Sequence, residues 1–140
     1  MLNTDDVLYI RCADGRTKRP DNILGLCAHQ ERTAGGVLNA YFKARFSRVK
    51  LSLEDRIDDQ MEDYETMIGL KKPSKVILAS HAHCGAAGAL GYTHEEVHTI
   101  HEEWAQRIRD FYLGVEVEVV HENHSTCGHH REWETVGSGK

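Results

Sequence analysis

Four consecutive apolar residues, Val7-Leu8-Tyr9-Ile10, open the first patterned stretch, and residues 7–12 read as a buried strand. A second apolar stretch, Ile23 to Ala28, is short enough to fit a strand or a helix; within it Cys27 reads as core, and His29 just beyond as loop. From 34 to 46 the pattern turns helical, with Val37, Tyr41 and Ala44 on one face. Ser52 starts a clearer helix, with Asp55 in the place where a capping box puts Glu or Gln. Ile57, Met61, Tyr64 and Ile68 mark its buried face, and Gly69 is expected to end it. Pro73 breaks the chain, and residues 75–80, KVILAS, are apolar throughout their middle. A parallel strand covered on both faces reads this way. Thr93 and Glu96 form a capping box ahead of a helical face made by Val97, Ile100, Trp104, Ile108 and Phe111. Residues 115–120, VEVEVV, alternate, which predicts a half-exposed strand near a sheet edge. The stretch 121–140 shows no clear period.

Strands alternating with helices predict an α/β fold. The expected form is a single domain over 1–140, with a mainly parallel sheet of about four to five strands flanked by helices and joined by right-handed crossovers. Chemistry on such sheets gathers at the carboxyl ends of the strands. Cys12 ends the first strand, and His81 and Cys84 follow KVILAS, so both stretches point to one edge and meet there if the strands are neighbours.

Composition narrows the function. With 40% hydrophobic and 28% charged residues the chain reads as a soluble globular protein. A net charge of -5, with no long Lys/Arg block, argues against a nucleic-acid partner. No apolar run is long enough to span a membrane. Residues 1–6 are polar and acidic and carry no signal-peptide pattern, so a cytoplasmic location is expected. Thiols stay reduced there, which turns four cysteines among ten histidines toward metal binding or catalysis. Two thiolates and one imidazole, Cys12, Cys84 and His81, suit zinc and leave a fourth position open, as catalytic zinc requires. Asp14 can reach that open position, and Arg16 can hold Asp14 through a two-point ion pair. A second histidine-rich group, His121, His124, Cys127, His129 and His130, reads either as a further metal site or as a flexible tail.

The paired motifs Cys12-Ala13-Asp14-Gly15-Arg16 and His81-Ala82-His83-Cys84-Gly85 resemble the signature of the β-class carbonic anhydrases. Residues 31–36, ERTAGG, are similar to that family's R-N-A-G segment, with Thr33 in place of Asn, and the resemblance runs over roughly residues 7–120. It implies one zinc ion per chain on Cys12, His81 and Cys84, with Asp14 and Arg16 as catalytic residues. It implies reversible hydration of carbon dioxide to bicarbonate and a proton by hydroxide on the zinc. It also implies a homodimer or larger even assembly. Two alternatives stay open: hydrolysis of carbonyl sulfide or carbon disulfide on the same scaffold, and a non-catalytic zinc-binding or zinc-sensing role. For His83, between the ligands, proton transfer and an ordinary loop position are both readings.

Overall fold

The computed structural model describes residues 7–12, 29–33, 35–81, 84–124 and 131–139. Strand β1 (Val7–Cys12) is buried at every position and lies between β2 (His29–Thr33) and β3 (Lys75–His81). Strand β4 (Glu116–His124) follows β3, and β5 (Arg131–Gly139) closes the order β2-β1-β3-β4-β5. The first four strands pair in parallel and β5 pairs antiparallel with β4. This is the mainly parallel, helix-flanked α/β sheet that the alternation predicts.

The unbroken apolar runs of β1 and β3 follow from burial on both faces. Leu8, Ile10, Val76, Leu78, Val117 and Val119 belong to one core, and Val7, Tyr9, Ile77, Ala79 and Val120 to the other. A 3-10 turn (Gly36–Leu38) leads into α1 (Asn39–Phe46), followed by α2 (Leu53–Lys71), α3 (Gly85–Leu90) and α4 (His94–Phe111). Helices α2 and α4 pack Tyr64, Ile68, Trp104, Ala105 and Ile108 into the first core. Their starts are fixed as the sequence predicts. The Asp55 amide donates to Ser52 Oγ at 3.1 Å. The Glu96 amide donates to Thr93 Oγ1 at 3.1 Å, and the Thr93 amide to Glu96 Oε1 at 2.9 Å.

Several boundaries differ from the sequence reading. Helix α2 passes through Gly69 and stops at Lys71, where Lys72 turns left-handed (φ 49°) and bonds back to the Ile68 carbonyl. An interior glycine costs a helix only about 1 kcal/mol, so the following Pro73 is the firmer stop. Phe111, the last residue of α4, is 55% exposed rather than buried. The alternating VEVEVV strand does lie near the sheet edge, with β5 outside it as the edge strand. The stretch without a period supplies the end of β4 at 121–124 and all of β5. An edge strand is held by backbone pairing, and REWETVGSG needs little apolar alternation for that. His29 opens β2 instead of lying in a loop. Residues 23–28, Cys27 among them, lie outside the described residues. Among the described residues no helix is long and apolar enough to cross a membrane.

Candidate metal centre

Cys12 is the last residue of β1, His81 is the last of β3, and Cys84 is the N-cap of α3. Because β1 and β3 are parallel neighbours, with Ile10 opposite Leu78, their carboxyl ends reach the same edge together. The Cys12 and Cys84 sulfurs and a His81 ring nitrogen all lie within 4.8 Å of one another. Cys12 and His81 are buried and Cys84 is half-buried.

The turn before α1 fastens Cys12 from the side. The Gly35 amide donates to Cys12 Sγ at 3.3 Å. Gly36, at φ +56°, lies so close to β1 that a Cβ there would meet the Cys12 nitrogen at 3.0 Å and the Arg11 carbonyl carbon at 3.1 Å. Only glycine accepts both the conformation and the approach. Buried Gln60 of α2 anchors the same turn: its Nε2 donates to the Val37 carbonyl at 2.8 Å, and its Oε1 accepts from the Ala40 amide at 2.9 Å. The Gly35-Gly36 pair signals such a close approach in the sequence. Gln60 gives no such signal: it shares the buried face with Ile57 and Tyr64, but a lone polar residue there does not show what it binds.

The electrostatics favour a cation. The Cys84 thiol is pushed far above its usual range, first by its hydrogen bond with Cys12 and then by burial, against the pull of the Ala87 and Ala86 amides. Two crowded thiols do not ionise together by themselves. A divalent cation reverses this, since a coordinated thiol is deprotonated outright. Two soft sulfur donors and one imidazole fit zinc, which spaces tetrahedral donors of this kind roughly 3.5 Å apart. Small side-chain adjustments close the set.

A cavity of only about 10 Å³ lies beside the three donors, lined also by Ser80 and His101. That is room for about one water. His101 is fully enclosed, and its Nδ1–H donates to the Val97 carbonyl at 2.8 Å. Burial brings its pKa down to about 4, although the Val97 and Ala79 carbonyls pull upward. His101 is therefore a neutral wall of the cavity near pH 7. The sequence reading did not single it out, although it falls among the apolar positions of α4. Asp14, Arg16 and His83 lie outside the described residues, as do Cys127, His129 and His130. His121 and His124 are both in β4. His121 bonds to Ser80 through Nδ1. Among the described residues, Cys12, His81 and Cys84 form the one group of three metal-ligating side chains close enough to share an ion.

No family model matches the chain, and no curated protein matches it. Solved structures do. A tetrameric β-carbonic anhydrase from the ascomycete Sordaria macrospora aligns with 96% of this chain and 82% of its own, at 18% identity and a TM-score of 0.58. A Coccomyxa β-carbonic anhydrase in complex with acetazolamide aligns with 96% and 73%, at 13% identity and a TM-score of 0.61. A carbon disulfide hydrolase in its apo form aligns with 89% and 76%, at 13% identity and a TM-score of 0.58. The chain has the β-carbonic anhydrase fold. On that scaffold it carries a Cys-His-Cys group able to hold a metal ion.

Proposed function

We propose that the protein is a zinc-dependent carbonic anhydrase, which converts carbon dioxide and water to bicarbonate and a proton, reversibly. The observation that carries this reading is the convergence of Cys12, His81 and Cys84 at the carboxyl edge of a sheet with this fold. The three side chains would hold one zinc ion. When bound, zinc supplies acidified water, bringing its pKa from ~15.7 toward 7. The chain's own residues do the rest. The Gly35 amide steadies the Cys12 sulfur. His101, neutral and enclosed, keeps the cavity side of the site closed. From the motif resemblance, Asp14 accepts a hydrogen bond from the reacting water, and Arg16 holds Asp14 by a planar two-point grip.

Through this pairing Arg16 keeps the carboxylate from occupying the water's place. Arg16→Ala should retain zinc yet lose activity by about a hundredfold, the scale of a lost acid–base partner. Arg16→Lys should recover little, because an ammonium lacks the planar fork. Metal analysis beside steady-state rates checks this; an active Arg16→Ala protein refutes the role.

The carbon disulfide hydrolase among the similar folds supports a second reading, in which the substrate is carbon disulfide or carbonyl sulfide. A stopped-flow pH-indicator assay of the zinc-loaded protein with carbon dioxide, beside sulfide release from carbon disulfide, separates the two. Fast hydration with no sulfide supports the first. Sulfide release without hydration replaces it with the second. We further propose a homodimer or larger even assembly and a cytoplasmic location.

A further inference from the structure

Hydration makes a proton at each turnover, and that proton must leave a cavity with room for about one water. Ser80 lines this cavity beside Cys12, His81 and Cys84. Its neighbour across the sheet is His121, the Cα partner on parallel β4. Ser80 Oγ lies 2.7 Å from His121 Nδ1. Against the His121 ring stands His94, the first residue of α4, with the two rings edge to face at a centroid separation of 4.7 Å. Exposure rises outward: Ser80 and His121 are half-buried and His94 is exposed. We propose that Ser80, His121 and His94 form the route by which the proton leaves the site, an inference that rests on the hydration reading above.

The proton balance is simple. Once bicarbonate has left, the water that takes its place must give up a proton before the next turnover, and that proton passes to Ser80 Oγ. Ser80's own hydroxyl proton moves to His121 Nδ1. The His121 ring, now doubly protonated, gives up a proton past the adjoining His94 ring to bulk buffer, and tautomer exchange with solvent returns Nδ1 to its accepting form. No oxidant or reductant is needed. Two imidazoles suit the last steps because a neutral ring carries a proton on one nitrogen and can accept one on the other. His101 lines the same cavity but is enclosed and holds protons too weakly to serve. It faces His121 and His98, whose charges disfavour its own.

The route is tested on the zinc-loaded protein with His121→Gln and His94→Gln. Glutamine keeps polarity and size but carries no proton. At low buffer concentration kcat should fall by about tenfold or more. The kcat/KM for carbon dioxide should hold, because it reports steps before proton release, and imidazole buffer should restore kcat. A merely structural role would lower both constants without rescue. A second readout needs no metal: in the metal-free protein, Ser80→Ala should move the His121 Nδ1 resonance in nitrogen-15 NMR and leave that of His101 in place. If His121→Gln does not fold, His94→Gln, at an exposed helix start, carries the kinetic test. An active wild type whose variants keep full kcat at low buffer, or whose loss imidazole does not restore, overturns the route alone. A zinc-loaded wild type that does not hydrate carbon dioxide overturns the hydration reading and the route with it.

Discussion

His101 takes up a proton near pH 4 in the folded protein, against an ordinary value of 6.5, because it is wholly enclosed. Below pH 6.5 the unfolded chain therefore binds a proton that the folded chain refuses. Its contribution to stability is complete above about 6.5 and is lost as pH falls toward 4, a loss of about 3 kcal/mol. Urea unfolding of metal-free protein at pH 7 and pH 4.5 should show this loss, and His101→Gln should shrink it. Equal acid sensitivity in both proteins would contradict the account. The Cys-His-Cys group able to hold a metal ion was legible from residue types: Cys12 at a strand end, and His81 and Cys84 after a second apolar run. The wall around it was not. A buried histidine in a helix reads like any polar position until the packing is known.

At the scale of elements, the helices were the most readable, since side chains such as Ile57, Met61, Tyr64 and Ile68 repeat with the helical turn and their caps use specific chemistry. The strands β1 and β3 showed as apolar runs. Strand β5 did not, because Arg131–Gly139 gains its place from pairing with β4, across a register shift between Val119 and Val120. The link between α2 and the site was also hidden. Gln60 binds Val37 and Ala40, which hold the turn that delivers the Gly35 amide to Cys12. Gln60→Leu leaves a buried carbonyl and a buried amide without their partner, a cost of about 2 kcal/mol or more. Chemical denaturation should show that cost, and competition with a chelator should show weaker zinc binding. Unchanged values in both would mean that the turn holds itself.

Across the whole molecule, parallel pairing of β1 with β3 turns a wide separation in sequence into contact at one edge. Phe46, Val49, Leu51 and Leu53 are all exposed along the segment from the end of α1 to the start of α2, and apolar residues left exposed together can mark a contact surface. The proposed even assembly gives those residues a use. Light scattering at micromolar concentration should find twice the chain mass or an even multiple; a fully active monomer would contradict it. The central claim, one zinc held by Cys12, His81 and Cys84, is tested most directly by zinc-edge X-ray absorption of the loaded protein. The account predicts about two sulfur and two lighter donors per zinc, with about one sulfur remaining in Cys84→Ser. A spectrum without sulfur, or one unchanged by that substitution, would place the metal elsewhere.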